Sequence, residues 1–209
     1  MMNTRQSYNS WADQYDTNNN KTRDLEESAL RSSLSKIEFD SCLEIGCGTG
    51  KNTAWLVQKA QKVLAVDLSE KMLAKAKEKV TSNRVEFKQA NIIEDWTFRK
   101  ETFELVTFSL VLEHIENLQP IFKQVSNALT EGGHVYIGEL HPFKQYTGSK
   151  ARFETDEGTH VVECFNHHIS DFINVAKNCQ LSLVSLDEYF DDDDRTTIPR
   201  ILSIMFKKL

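Results

Sequence analysis

The sequence predicts an α/β protein built on a doubly wound sheet, and three observations carry that prediction. Apolar strand-like runs alternate with helical patterns from residue 41 to residue 140, and a turn with glycine at 46, 48 and 50 follows the first run. Two more apolar runs, 181–189 and 200–207, close the chain with no helical pattern between them. Alternation implies parallel strands joined by right-handed helical crossovers, and a final strand that doubles back on its predecessor runs antiparallel to it. The expectation is a Rossmann-like sheet of seven strands, six parallel and one antiparallel, with helices on both faces. The length suits one domain over residues 1–209.

Composition narrows the function classes. Hydrophobic content of 40% and charged content of 27% are ordinary for a globular chain. The formal charge of −6 argues against a polyanionic partner, because nucleic-acid binding relies on clustered Lys and Arg. Lys71, Lys75 and Lys79 recur every fourth residue and read as a solvated helix face. Cys42, Cys47, Cys164 and Cys179 show no C-x-x-C spacing, so a zinc ribbon or redox pair is not expected. No apolar run reaches membrane-spanning length, and the first residues lack a signal-peptide core. The expected setting is cytoplasmic, with no nucleic-acid and no membrane partner, as monomer or homodimer.

Residues 1–40 read as a helical cap. Tyr8, Trp11 and Tyr15 share a helical face, Asn18 to Asn20 break the pattern, and Asp24 is a candidate N-cap for a second helix reaching Lys36. After the first strand and its glycine turn, residues 51–60 form a helix and Val63 to Val66 a buried strand ending at Asp67. Ser69 caps a helix through Val80. Strands follow at 85–87 and 105–110, with Glu113 and His114 just beyond the second. A helix spans 118–129, and the pair Gly132-Gly133 precedes a strand at 134–138. Residues 141–167 interrupt the rhythm and allow a hairpin pairing 152–154 with 159–165 across Glu157-Gly158. A helix over 170–179 and the last two strands, joined by Asp191 to Asp194, complete the chain.

The chemistry concentrates in Cys42 to Gly50. Glycine lets the chain turn tightly with positive φ and bring backbone N–H groups against a ligand. The dinucleotide pattern G-x-G-x-x-G requires glycine at 51, where Lys51 stands; the observed pattern is E-x-G-x-G-x-G from Glu44 to Gly50. Asp67 follows Gly48 at close to the ~20-residue spacing at which a carboxylate reaches ribose hydroxyls. A carboxylate accepts two hydrogen bonds at once, which suits a vicinal diol.

With Ala90-Asn91-Ile92, Ser109 to His114 and Leu129 to Gly133, these landmarks resemble the class I S-adenosylmethionine-dependent methyltransferases, in particular the type 11, UbiE-like small-molecule branch. The resemblance covers residues 40 to 140. It implies S-adenosyl-L-methionine as cofactor. Gly46 and Gly48 would pass the methionine moiety, Glu44 would hold its ammonium end, and Leu68 and Met72 would pack near adenine. Asn91, where the family commonly has Asp, and the Ile92 backbone would face the adenine edge. Leu110 would border the site, and the cap would bring Tyr15 and Arg23 over it. Residues 141–167 then form an insertion on the substrate side, and 168–209 the closing helix and strands.

Methyl transfer from a sulfonium is a direct displacement that needs alignment and water exclusion, and a base only when the nucleophile keeps its proton. His114, His141 and Tyr15 are the catalytic candidates, each equally readable as a surface or cap residue. The histidines form no H-x-x-x-H or H-E-x-x-H pattern, so no metal is expected. Ser109 to Leu112 lacks the Asn-Pro-Pro-Tyr or Asp-Pro-Pro-Tyr signature of amino-methylating nucleic-acid enzymes. The expected function is methylation of O, N or C on a small molecule. The alternatives are a protein methyltransferase and a non-catalytic cofactor-binding regulator or assembly protein. Specificity is expected in Tyr8 to Arg23, His141 to His167 and Asp191 to Arg200. The four aspartates read as a solvated turn, or, if they face the pocket, as a field favouring neutral or cationic acceptors.

Overall fold

The computed structural model describes residues 2–155 and 158–209; Glu157, expected in the hairpin tip, lies outside the described residues. Two helices come first, α1 (Thr4–Trp11) and α2 (Lys21–Leu34). Then follow β1 (Ser41–Ile45), α3 (Thr53–Lys59), β2 (Lys62–Asp67), α4 (Glu70–Lys79), β3 (Val85–Gln89), β4 (Phe103–Ser109), α5 (Leu118–Ala128) and β5 (Leu129–Leu140). Next come α6 (Pro142–Tyr146), β6 (Arg152–Thr155), β7 (Gly158–Val161), α7 (Ile169–Asn178), β8 (Leu181–Tyr189) and β9 (Ile201–Lys208). The expected hairpin forms as β6 and β7 in a separate two-stranded sheet.

The main sheet has the order β3-β2-β1-β4-β5-β9-β8. β1 to β5 pair in parallel, and β9 runs antiparallel to both β5 and β8. The sheet is therefore mixed, six strands one way and one the other, as expected. The chain winds outward from β1 to β3 and restarts at β4 on the other side. This places a topological switch point, where such sheets bind ligands, at the carboxyl ends of β1 and β4.

Alternation along the buried strands divides the core into two layers. Leu43, Ile45, Leu64 and Val66 face α5 and α7 through Phe122, Val125 and Phe172. Cys42, Val63 and Ala65 face α2, α3 and α4 through Leu30, Leu56 and Leu73. Among the described residues no helix is long and apolar enough to cross a membrane.

Local chemistry shifts two boundaries. α2 starts at Lys21 because the Asn20 side chain, on an extended backbone, accepts from the Thr22 and Arg23 amides. Asp24, expected as the cap, lies in the first turn and pairs with Lys51 at 2.8 Å. β5 begins at Leu129, and residues 130–133 bulge opposite Glu104 before the ladder resumes at His134. Ser69 caps α4 as expected, its hydroxyl accepting from the Met72 amide at 3.1 Å.

Candidate functional site

β1 delivers the glycine turn to the switch point. The Gly46 and Cys47 amides both donate to the Val66 carbonyl, at 2.8 and 3.0 Å, which fixes the turn against the end of β2. Gly46, Gly48 and Gly50 adopt φ of 71°, 53° and 81°, a region that side chains disfavour. A Cβ at residue 46 would stand 2.3 Å from Val111 Cγ2, so glycine is also required by packing.

Asp67 closes the turn from β2. Its Oδ2 accepts from the Gly48 amide and its Oδ1 from the Ser69 amide, each at 2.8 Å. Burial pushes this carboxyl up, and the backbone amides oppose that rise. Each carboxylate oxygen can accept more than one hydrogen bond, so both remain available to a diol.

A cavity opens at this point, beside the glycine turn and Asp67. Nine of the sequence-predicted residues line it: Tyr15, Gly46, Gly48, Asp67, Leu68, Asn91, Ile92, Leu110 and His114. An adjoining recess, also bordered by Gly46, Gly48 and Leu110, holds Glu44 and Arg23. The Asn91 amide oxygen already accepts from the Ile93 amide at 3.2 Å, and its nitrogen donates to Glu94 at 3.0 Å.

Two predicted residues lie elsewhere. Met72 is fully buried and packs with Trp11 and Ala12, because its place on α4 turns it toward α1 instead of the cavity. His141 is also fully buried; it caps α6 by accepting from the Phe143 amide at 3.2 Å, and its Nε2 lies 3.1 Å from Glu188. It lines neither cavity at the switch point, so packing makes it a structural residue of the insertion.

The recess contains a second carboxyl that sequence reasoning missed. Glu26, buried midway along α2, accepts from Tyr136 and Asn52, each at 3.2 Å. Glu44 accepts from the Thr53 hydroxyl at 2.5 Å. Burial pushes Glu26 up to about 7 and Glu44 up to about 8. Two desolvated carboxyls side by side favour a cationic ligand group, which would restore their charged forms. Arg23 anchors the cap above them, donating to the carbonyls of Tyr15 and Asn18 and lying 4.1 Å from the centre of the Tyr15 ring.

Beyond β4 the chain makes a strained step. Leu110 has φ of 57°, held by its amide donating to the Gly138 carbonyl at 2.8 Å. The buried Glu139 carboxylate then accepts from the Val111, Leu112 and Glu113 amides at 3.0, 2.7 and 3.3 Å. It was not singled out from the sequence, where it is one acid in an apolar strand. These bonds fix the turn at Leu112–His114 and point His114 into the cavity. His114 Nδ1 lies 2.7 Å from the Glu163 carbonyl and Nε2 lies 2.7 Å from the Tyr8 hydroxyl. A carbonyl only accepts, so Nδ1 carries the proton and Nε2 accepts from Tyr8.

Glu113, beside it, is buried, and its Oε2 has no hydrogen-bond partner among the described residues. The ligating atoms of Glu113, His114 and Cys164 lie within 4.8 Å of one another. Both ring nitrogens of His114 are already engaged, Nδ1 with the Glu163 carbonyl and Nε2 with Tyr8, so this O, N and S set would hold a divalent ion only if one of those bonds were given up. Residue spacing did not reveal it because Cys164 arrives from the insertion.

A second cavity adjoins the first and shares Tyr8, Tyr15 and Leu110 with it. Trp11 and Glu113 add to its walls.

Comparison with known proteins bears on this arrangement. A family model described as a methyltransferase domain matches residues 43–137. An uncharacterized protein of Haemophilus influenzae is 26% identical over 151 residues, covering 69% of this chain and 59% of that protein. A ubiquinone biosynthesis O-methyltransferase of Pelagibacter ubique is 25% identical over 169 residues, covering 78% of this chain and 70% of that one. The crystal structure of the N-methyltransferase NodS from Bradyrhizobium japonicum, in complex with S-adenosyl-L-homocysteine, superposes with a TM-score of 0.74 at 20% identity over 99% of both chains. At that identity the structural likeness speaks for the fold.

Proposed function

We propose that this chain is a class I S-adenosylmethionine-dependent methyltransferase, a reading supported by the methyltransferase-domain match over residues 43–137, and that it transfers the methyl group of S-adenosyl-L-methionine to O, N or C of a small molecule. One observation carries the reading: the cavity beside the glycine turn and Asp67 adjoins a second cavity, and Tyr8, Tyr15 and Leu110 line both. A donor held in the first can therefore meet an acceptor held in the second.

The residues present fit the cofactor. Asp67 would accept from the ribose hydroxyls, Leu68, Asn91 and Ile92 would border the adenine, and Glu44 with Glu26 would face the ammonium group. A side chain at Gly46 would collide with Val111, and the close backbone approach of the turn depends on its glycines. When bound, the cofactor supplies an electrophilic methyl carbon on a sulfonium sulfur.

An acceptor aligned with that carbon would take the methyl group by direct displacement, the carbon–sulfur electron pair staying with S-adenosylhomocysteine as the leaving group. A proton on the nucleophile would pass to the Tyr8 oxygen as the Tyr8 proton passes to His114 Nε2. Leu110 and the aromatic cap exclude water and align the partners.

Incubation with labelled methyl donor and a metabolite extract tests the proposal. Label is expected in a small molecule. Label in protein alone would favour protein methylation, and cofactor binding without any transfer would favour a regulatory or assembly role.

A further inference from the structure

We infer that the second cavity is built for an anionic acceptor, one whose carboxylate or phosphate-type group faces a cationic rim while its body lies against Tyr8, Trp11 and Tyr15. The word acceptor rests on the methyltransferase reading; the anion site does not.

On a chain of net charge −6, Lys21, Arg23, Lys150, Arg152 and Arg200 all line this one cavity, and Glu113 is the only acid among its described lining residues. They come from the start of α2, from the segment leading into β6 and from the loop before β9, so three separate parts of the chain converge. A single solvated helix face would not do that.

The charges are unequally spent. Arg200 is largely neutralised by Asp191, which accepts from its Nε and Nη2 at 2.5 Å each. Arg23 is held by the carbonyls of Tyr15 and Asn18, which fix the guanidinium without cancelling its charge, and its buried Nε has no hydrogen-bond partner among the described residues. The amino end of α2 faces the same space, since Asn20, Lys21, Thr22 and Arg23 all border it. The helix dipole adds to the positive potential there. Such a field raises the local concentration of anions and repels cations.

The aspartate run keeps its reading as a solvated turn, with Asp192, Asp193 and Asp194 exposed, and does not act as a pocket-facing acidic field. Asp191 reaches the cavity only by holding Arg200, and Asp192, Asp193 and Asp194 do not line it.

The test is calorimetric titration of phenyl phosphate, benzoate and the neutral benzamide, on free protein and on protein saturated with S-adenosylhomocysteine. At least one anion is expected to bind tenfold or more tightly than benzamide, less so at high salt. The order of the two anions tells phosphate-type from carboxylate recognition. The triple variant Lys21→Gln, Lys150→Gln, Arg152→Gln, changed only at exposed positions, is expected to lose that preference while binding S-adenosylhomocysteine within twofold of the parent. Benzamide binding as well as both anions, or a variant that retains the preference, overturns the inference. Anion preference in a protein that does not bind S-adenosylhomocysteine would remove the methyltransferase reading and leave the anion site standing.

Discussion

The Tyr8 hydroxyl lies 2.7 Å from Nε2 of His114, whose Nδ1 is held 2.7 Å from the Glu163 carbonyl. This ties the cap, the turn after β4 and the insertion into one hydrogen-bonded chain at the junction of the two cavities. If protons leave along it, His114→Gln and Tyr8→Phe should each lower kcat by about 10²-fold or more, the usual worth of a positioned general base. The double variant should be no worse than the more impaired single one, because both remove the same path. Steady-state kinetics with the identified acceptor measures this, and undiminished turnover in His114→Gln would show that the nucleophile needs no base.

Asp67 holds the glycine turn through the Gly48 and Ser69 amides, and in the proposed cofactor site it would also accept from the ribose hydroxyls. Asp67→Ala should weaken S-adenosylhomocysteine binding by about 1.5–3 kcal/mol, the range for hydrogen bonds to a charged partner. Calorimetry reads the loss, and unchanged affinity would remove Asp67 from the site.

Gly46 and Val111 meet where β1 and the turn after β4 converge. Gly46→Ala should destabilise the protein by about 1–3 kcal/mol through overpacking. Val111→Ala in the same chain should return part of that overpacking cost, while a further cost of about 1–2 kcal/mol for a side chain in the left-handed region remains. Urea unfolding of the four proteins in this cycle checks the coupling; strictly additive effects would mean that the two residues do not contend for space.

What was legible in the sequence was local. The glycine turn, Asp67 at the end of β2 and the Ser69 cap depend on neighbours within a few residues, and strand periodicity gave the two-sided core. What was not legible depended on distant partners. Glu26 and Glu139 look like ordinary acids until α2 crosses the sheet and β5 passes beside the turn after β4. Met72 sits one helical turn beyond Asp67, yet its direction is set by the packing of α1 on α4. His141 follows β5 as a cavity residue would, but α6 folds over it and Glu188 holds it.

Three buried carboxyls make stability depend on pH. Glu26 is raised to about 7, and Glu44 and Glu139 to about 8, each mainly by burial, against an ordinary value of 4.5. Between those values the folded chain keeps protons that the unfolded chain has released. Stability is therefore fully present below 4.5 and falls as pH rises through the folded values. His134 and His141 are pushed down by burial and change charge below this window, so the comparison belongs between about pH 7 and pH 9. The cofactor-free protein is expected to show a lower Tm at the upper end. Glu139→Gln should flatten the slope, since the amide cannot ionise. S-adenosylhomocysteine should stabilise more strongly as pH rises from about 6 to 8, because its ammonium group favours ionised Glu44, and Glu44→Gln should abolish most of that gain. Thermal unfolding with and without ligand measures both effects; a Tm that holds or rises toward the upper end would mean that these carboxyls are ionised in the folded chain.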